Sequence, residues 1–416
     1  MTSTLPTPLP PMHRVPSAPC TAPHPFVLPD GTAAWRVSRY ADVREVLGGG
    51  SFTRAALYDE EHGDRPSEGG IVDDPELLFN QDGPEHLRLR RTVGRAFTPR
   101  AVAHWEPWIT ATVEELLDGL VRHEGPFDLV SGLARPLPVT VITRLLGLDG
   151  DAWEKIGYWS DLAFTDGSHS AAEVASGLAD FTSFGGELLA LRRKEPGDDL
   201  VSGIVQAADA EGGIPESQLV RLVCGMVVGG HDSTMTMLGN VLLYLLGERR
   251  DAWPRLTAVG AAGLAADRLL HFVPLGEDPG SLRRCVADTE LGGVRIPTGA
   301  IVVADIVAAN RDPEVFPPAE REDLFSELPA PTLAFGGGPH YCMGAWLARL
   351  ELRTALNRLA TRLPDLRLVS GDGGSGGVAD GGVADGGVAD GGVADGGVEW
   401  RLGTTSRGPK RLMAVG

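Results

Sequence analysis

A glycine-rich loop that contains one cysteine, directly followed by a helical pattern, constrains this chain more than any other feature. The loop reads FGGGPHYCMG over residues 335–344, and residues 345–353 carry apolar side chains at three- and four-residue spacing. This pattern predicts that Cys342 lies just before a helix N-terminus, where backbone N–H groups favour a thiolate. Glycines allow the backbone to lie flat against a large group. Cys342 is therefore a candidate axial ligand of a haem iron, the alternative being an inert cysteine in an ordinary turn.

The composition indicates one large globular domain. The chain has 416 residues, of which 43% are hydrophobic and 22% are charged, and its net charge is −19. Such an acidic chain argues against a nucleic-acid partner or an anionic membrane surface. The four cysteines, Cys20, Cys224, Cys285 and Cys342, lack a paired spacing, which favours a reducing compartment without disulfides or a zinc site. Residues 1–29 contain no apolar segment of a leader or anchor, so we expect a soluble, cytoplasmic protein. We also expect it to be a monomer.

The pattern of elements predicts a mainly α fold with small β-sheets. We expect a flexible Pro-rich lead-in over residues 1–25 and a single domain over 26–416. The expected elements are a strand at 34–37, a helix at 40–47, a helix at 83–100 with Pro84 near its start, several helices over 101–195 with a break at 195–200, and a strand–turn–strand at 288–299. Four copies of Gly-Gly-Val-Ala-Asp fill 376–395. They are too short to bury a core, so 371–396 is expected to be a flexible surface loop between two terminal strands, the second near 398–402.

The most apolar helical pattern runs over residues 219–246 and contains no proline. Being apolar on nearly all sides, it is expected to be buried. Its centre contains Gly229 and Gly230, each of which costs on the order of 1 kcal/mol in a helix relative to Ala, followed by the polar run His231, Asp232, Ser233 and Thr234. One interpretation is a kinked core helix whose polar groups pair internally. The other is a groove that leaves room for a small molecule beside an acid and an alcohol able to supply protons.

A basic helix contains a second candidate pair. His86 and Arg90 are four residues apart and therefore share a face. Together they could hold an anionic group, Arg90 by its charge and His86 by a hydrogen bond. A solvated basic helix is the alternative.

These motifs together resemble the cytochrome P-450 family of haem-thiolate monooxygenases. Phe335-x-x-Gly338-x-x-x-Cys342-x-Gly344 is similar to the family's haem loop, and Gly229-Gly230-His231-Asp232-Ser233 is similar to its Ala/Gly-Gly-x-Asp/Glu-Thr signature, with Ser in place of Thr. Residues 309–317 are similar to the loop that precedes the haem segment. The resemblance covers roughly residues 30–370 and the last strand.

The resemblance implies haem b as the cofactor and a role for each motif. Cys342 would bind the iron, with Phe335 packed beside the thiolate and Gly338 and Gly344 shaping the loop. Gly229 would leave room for dioxygen, while Asp232 and Ser233 would deliver protons, with Thr234 as a substitute donor. The propionates of the haem would be held by four residues, His86, Arg90, Arg283 and His340. Residues 54–81 would include the loop that covers the substrate.

The chain departs from the family at the segment 263–274. Where the family carries Glu-x-x-Arg, this chain has Arg268 and His271. Breaking one member of a buried ion pair is costly, but replacing both is often close to neutral. We therefore expect a rearranged contact, for which Asp267 and His271, four residues apart, are candidates.

The resemblance also implies partners. Two electrons would come singly from a ferredoxin-type protein that draws on NAD(P)H, and Arg349 and Arg353 are candidates for its docking patch, with ordinary solvated helix charges as the alternative. The expected reaction is hydroxylation, epoxidation or oxidative coupling of a small organic molecule with O2, in secondary metabolism. A helper protein without catalysis, or a haem enzyme with non-oxygenase chemistry, is the alternative.

Overall fold

The computed structural model describes residues 10–59, 73–148, 152–163, 169–276, 280–318, 323–369, 398–402 and 406–416. Helices dominate these ranges, and the strands are short. The expected mainly α fold with small sheets is confirmed. None of the helices in these ranges combines the length and apolar character needed to cross a membrane.

The α-helices of the described residues are α1 (Tyr40–Leu47), α2 (Gly83–Gly94), α3 (Pro99–His104), α4 (Glu106–Val121), α5 (Pro136–Leu145), α6 (Ala152–Ala163), α7 (Ala171–Lys194), α8 (Leu200–Glu211), α9 (Glu216–Gly247), α10 (Ala261–Phe272), α11 (Ile306–Ala309) and α12 (Ala345–Arg362). The strands are β1 (His24–Val27), β2 (Ala33–Val37), β3 (Phe52–Thr53), β4 (Phe127–Asp128), β5 (Gly280–Cys285), β6 (Thr289–Leu291), β7 (Val294–Ile296), β8 (Ile301–Asp305), β9 (Arg367–Leu368), β10 (Trp400–Leu402), β11 (Arg407–Pro409) and β12 (Met413–Val415).

Helix α9 forms the centre of the main hydrophobic core. It packs against α5, α6 and α7 and against strand β11, as its apolar circumference predicted. The helix continues without interruption through Gly229 and Gly230, so the expected groove arises from missing side chains rather than from a break in the helix.

The predicted helix over residues 83–100 was wrong in its extent. Helix α2 ends at Gly94, and α3 begins at Pro99. Thr98 lies between them in an extended conformation, with φ −66° and ψ 152°, and its side chain accepts a hydrogen bond from the backbone N–H of Ala101. A residue that precedes proline is disfavoured in the helical region, which explains why one pattern produced two helices.

The N-terminal segment differs from the expected flexible lead-in. Residues 1–9 lie outside the described part of the chain, but Met12 is buried in the main core. Next to it, Nε2 of His13 lies 2.5 Å from Oε1 of Glu248, just after α9. The segment over residues 10–25 is therefore packed against the domain.

The strands form small sheets at the edge of the helical core. The largest has the order β1-β2-β8-β5-β3, in which β2 and β8 are parallel and the other pairs are antiparallel. Strands β6 and β7 form the predicted hairpin, and the φ values of Gly292 and Gly293 at its turn are +55° and +80°. Strands β10 and β11 form a second hairpin. The predicted repeat loop at 371–396 lies outside the described residues.

Candidate active site

A cavity of about 440 Å³ lies between α9 and the loop that leads into α12. Its walls are mostly apolar, and Cys342 lies among the residues that line it. The lining includes ten apolar side chains of the wall, Leu77, Leu78, Phe79, Ile142, Leu222, Met226, Met237, Leu238, Leu270 and Leu275. Three of these, Leu77 to Phe79, come from the stretch expected to cover the substrate, while its residues 60–72 lie outside the described chain.

Cys342 is positioned as the sequence predicted, at the end of the loop and three residues before α12. Its backbone N–H donates a hydrogen bond of 2.9 Å to the carbonyl oxygen of Phe335, which closes the loop. The expected preference for the thiolate is not found in the protein alone, because burial raises the pKa of the Cys342 thiol. Backbone N–H groups of Gly344 and Ala345 and the charges of Arg90 and Arg349 act in the opposite direction. An iron ligand loses its proton on coordination, so a bound metal would supply the missing stabilisation.

Glycine in this loop is required by the neighbouring helix α1. The φ value of Gly338 is +58°, and a Cβ there would lie 2.2 Å from the carbonyl oxygen of Leu47. The loop is therefore pressed against the end of α1, which the sequence pattern did not reveal.

The aromatic ring of Phe335 lines the cavity and is covered by a cation. The guanidinium carbon of Arg349 lies 4.5 Å from the ring centre, and Arg349 also donates to Asp267 at 2.7 Å. Arg353 pairs with Glu106 at 2.9 Å. Both arginines of the expected docking patch are therefore paired with carboxylates of this chain, and Arg349 is largely buried beneath the loop.

His86 and His340 meet at one side of the cavity, with ring centres 4.3 Å apart and nearly parallel rings. His86 is buried, and its Nε2 has no hydrogen-bond partner among the described residues. Burial lowers the pKa of His86 to about 4, and the charges of His340 and Arg90 add to this effect. Nε2 of His340 is instead 2.8 Å from Oδ1 of Asp82. His340 is thus engaged with a carboxylate of the chain.

Arg90 lines the same side of the cavity as His86. Its guanidinium donates to the carbonyl oxygen of Tyr341, and no carboxylate of the described residues pairs with it. Burial lowers the pKa of Arg90, while the charge of Cys342 raises it. A cation and an unpartnered imidazole nitrogen in one apolar cavity are suited to an anionic group.

Arg283 is not brought to this cavity. It is buried in strand β5, where its guanidinium donates to Oγ of Ser281 at 2.6 Å and to the carbonyl oxygen of Leu282 at 2.7 Å. Its side chain does not appear among the lining residues. Strand β5, which holds Arg283, was not among the predicted elements, and this structure places the side chain away from His86 and Arg90.

Helix α9 presents Gly229, Gly230, Ser233 and Thr234 to the cavity. A Cβ at Gly229 would meet no atom within 4 Å, so this glycine leaves open space. Oγ of Ser233 donates to the carbonyl oxygen of Gly229 at 2.9 Å. The Ser233 hydroxyl therefore lies one helical turn along α9 from the open space at Gly229.

Asp232 does not line the cavity in this structure. Its carboxylate is buried and forms an ion pair with Arg401 of β10 at 2.5 Å. Ser406 donates a hydrogen bond of 2.8 Å to its other oxygen. Sequence reasoning missed both partners, because they lie more than 160 residues away in a segment without a recognisable motif.

The altered segment of α10 has formed different contacts from those expected. Asp267 pairs with Arg349 and not with His271. Arg268 is buried and donates to the carbonyl oxygen and hydroxyl of Ser326, at 2.9 and 2.5 Å, and to the carbonyl oxygen of Glu327 at 2.5 Å. Nδ1 of His271 lies 3.3 Å from Oγ1 of Thr332. Arg268 thus fastens α10 directly to the segment before the haem-type loop.

Glu351 is a cavity residue that the sequence reasoning missed. It is fully buried on α12, and its Oε2 has no hydrogen-bond partner among the described residues. Burial raises the pKa of Glu351 to about 8. The signal was present, since an acid at position 351 follows Leu347 and Ala348 on the apolar face of a helix.

The residues of the cavity fit a haem. A thiol lies in its apolar lining, Arg90 and the unpartnered Nε2 of His86 lie together, and Gly229 leaves space in α9. A haem would need these three features, namely an axial ligand, partners for its carboxylates and room for a small ligand.

Known proteins are similar to this chain in sequence. The family model for cytochrome P-450 matches residues 268–362. Nocardicin C N-oxygenase of Nocardia uniformis subsp. tsuyamanensis is 38% identical over 82% of this chain and 85% of its own length. Mycinamicin IV hydroxylase/epoxidase of Micromonospora griseorubida is 39% identical over 82% of this chain and 84% of its own length.

Solved structures agree with the sequence relatives. The LnmA cytochrome P-450 hydroxylase from the leinamycin biosynthetic pathway of Streptomyces atroolivaceus is 34% identical and superposes with a TM-score of 0.81, covering 94% of this chain and 92% of the other. The two relatives match 82% of this chain, and the solved structure matches 94% of it. The chain belongs to the cytochrome P-450 family of haem-dependent monooxygenases.

Proposed function

We propose that this monooxygenase binds haem b in the described cavity through Cys342 and oxidises a small organic molecule of secondary metabolism. The observation that carries the proposal is the thiol of Cys342 in an apolar cavity beneath α9. The balanced reaction takes substrate, O2, NAD(P)H and a proton to hydroxylated or epoxidised substrate, water and NAD(P)+. Relatives named for nocardicin C and mycinamicin IV support a small organic molecule of secondary metabolism as the substrate.

Bound haem would supply the activation of dioxygen, and the chain would supply binding and protons. The apolar wall excludes water and holds the substrate by burial of its apolar surface. Residues Leu77 to Phe79 form one side of this wall and Met226 and Leu238 of α9 another. The shape of this wall would determine which position of the substrate is presented for oxidation.

Protons would pass along α9. Asp232 is the acid, and Ser233 is the alcohol that faces the cavity, with Thr234 beside it as a second hydroxyl. Because the Ser233 hydroxyl is held on the Gly229 carbonyl, it needs only a rotation about χ1 to turn toward a group bound over Gly229.

His86 and Arg90 would hold the haem propionates. His340 would contribute by stacking on His86 while its own Nε2 stays with Asp82. Electrons would reach the site singly from a ferredoxin-type donor that draws on NAD(P)H in the cytoplasm. Arg283 would join this set only after leaving its partners in β5.

The reduced carbon-monoxide difference spectrum tests thiolate ligation. Wild-type protein should show the far red-shifted Soret band of a haem-thiolate protein. Cys342→Ser should lose this band. Cys20→Ser should retain it, because it changes a cysteine whose thiol donates a hydrogen bond to the carbonyl oxygen of Ala308, far along the chain. Purified wild-type protein that lacks haem or shows only the blue-shifted form would contradict the proposal and favour the helper interpretation.

Arg90→Gln tests the propionate site. Loss of a charge-assisted contact of about 1.5–3 kcal/mol predicts roughly ten- to hundredfold faster haem loss. The rate is measured by transfer of haem to excess apomyoglobin. Arg91→Gln is the control, because Arg91 is exposed and pairs with Glu211. Equal rates in the two variants would show that Arg90 does not hold the haem.

A further inference from the structure

The carboxylate of Asp232 lies on the face of α9 that meets the C-terminal hairpin β10–β11. Three polar side chains, Asp232, Thr236 and Asn240, occupy successive turns of this face. Asn240 donates to the carbonyl oxygen of Arg407 at 2.8 Å, and Gly408 packs against Thr236. The hairpin is therefore fixed to the same stripe of α9 that carries the proposed acid.

Arg401 bridges two of these turns. Its Nη2 lies 2.5 Å from Oδ1 of Asp232 and donates to Oγ1 of Thr236 at 2.7 Å. Ser406 occupies the other carboxylate oxygen at 2.8 Å. Both oxygens of Asp232 are thus held by the hairpin, while Ser233 and Thr234 on the adjacent positions face the cavity.

Asp232 and Arg401 are buried to different extents. The side chain of Asp232 is 4% exposed and that of Arg401 is 19% exposed, so the pair extends from the interior to the protein edge. The neighbouring His231 is buried, and burial lowers its pKa to about 4. It is therefore uncharged at neutral pH, and Arg401 is the cation bound to Asp232.

We propose that Arg401 is a positioning residue for proton delivery, which holds the carboxylate of Asp232 on the hairpin side of α9 and sets how readily it exchanges protons with Ser233 and solvent. This inference rests on the proposed role of Asp232 as the acid. Arg401 acts through Asp232 and needs no contact with haem, oxygen or substrate.

The test compares Arg401→Gln, Asp232→Asn and the double variant with wild type, all as haem-loaded protein. NADPH oxidation is driven by a plant-type ferredoxin and its reductase without substrate, in H2O and in D2O. Arg401→Gln and Asp232→Asn should each slow oxidation about tenfold or more and enlarge the solvent isotope effect. The double variant should be no slower than the slower single variant, because the residues act as one unit.

Further variants separate positioning from general stabilisation. Arg401→Lys should restore the wild-type isotope effect to within about twofold, since an ammonium can still pair with Asp232. Arg411→Gln, at an exposed position that does not contact Asp232, should behave as wild type. Urea midpoints should shift non-additively in the double variant, which gives a readout independent of turnover.

The two single variants test the role of Asp232 and the role of Arg401 separately. A wild-type rate and isotope effect in Asp232→Asn would overturn the proposed acid and Arg401 with it. Slow turnover in Asp232→Asn but normal turnover in Arg401→Gln would overturn the role of Arg401 alone. Should Arg401→Gln lose haem, Thr236→Val decides the matter, because it removes the hydroxyl that also holds the guanidinium of Arg401 and leaves Asp232 and Ser406 in place. An unchanged isotope effect in Thr236→Val would then overturn the proposal.

Discussion

Asp232 on α9 and Glu351 on α12 are both buried carboxyl groups, but they differ in their hydrogen-bond partners. Asp232 has a cation and a hydroxyl as partners. Glu351 has an oxygen without a hydrogen-bond partner among the described residues. Burying an unpaired charge is costly, and such a group keeps its proton instead. Glu351 is therefore expected to be an uncharged acid over most of the neutral range.

The stability of the protein should depend on pH through Glu351. The pKa of Glu351 in the folded state is about 8, whereas a glutamate carboxyl in the unfolded chain loses its proton near its ordinary pKa of 4.5. Between these values unfolding releases a proton, so the free energy of unfolding falls as pH rises, by at most about 1.4 kcal/mol per pH unit. Glu351→Gln cannot ionise, and its advantage over wild type should grow from pH 5 to pH 8 in urea titrations.

Glu115→Gln is the control for this titration, because Glu115 is an exposed acid on α4. Its unfolding curve should follow that of wild type at every pH. A constant difference between Glu351→Gln and wild type across the range would show that Glu351 is ionised in the folded protein.

At the scale of elements, local sequence patterns predicted those helices and loops that local interactions determine. The long apolar run predicted α9 to within a few residues, and the loop and helix around Cys342 appeared as expected. The error at residues 83–100 arose because a favourable pattern outweighed the effect of Pro99 on Thr98. The substitute contact was misassigned because Asp267 pairs with Arg349 on another helix. Contacts between distant helices have no signature in a single sequence.

Arg268 should be essential for the packing of α10. Arg268→Ala leaves the carbonyl oxygens of Ser326 and Glu327 without this donor and should lower the free energy of unfolding by about 2–4 kcal/mol. Arg268→Glu, which introduces the residue type that the family carries at this position, should be less stable still, because a carboxylate would face carbonyl oxygens. Chemical denaturation of the haem-loaded protein measures both changes.

Arg255→Ala is the matched control for the same segment. Arg255 is exposed and lies over the ring of Phe325, 3.9 Å from its centre, so its removal should cost about 1 kcal/mol or less. If Arg268→Glu proved as stable as wild type, the rearranged contact would not be what fastens α10.

At the scale of the molecule, the fold and the position of the cavity could be predicted, but the connections that cross the molecule could not. The motif around Cys342 indicated the family, and the family indicated the fold. Arg401, by contrast, reaches Asp232 across most of the second half of the chain, and the low-complexity tract before it offers no pattern to interpret. Its role depends on tertiary proximity, which only the structure supplies.

Deletion of residues 386–395 removes two of the four Gly-Gly-Val-Ala-Asp copies. Because the closure entropy of a flexible loop changes slowly with length, the free energy of unfolding should change by less than about 1 kcal/mol. Haem content per protein, measured by the pyridine haemochrome, should stay at the wild-type level. Deletion of β10, residues 400–402, is the contrast and should lower stability. A large loss of haem in the repeat variant would contradict the expectation.

The attachment of α9 to the β10–β11 hairpin also has a consequence for biosynthesis. The ribosome completes Asp232 long before it reaches Arg401 and Ser406, which the sequence separates from it by 169 and 174 residues. At typical elongation rates of about 5–20 residues per second, the interval is roughly ten to thirty seconds. During that time the nascent chain carries Asp232 without its counter-ion Arg401. Completion of the site, and with it productive haem capture, is therefore expected only after residues 401–406 have left the ribosome.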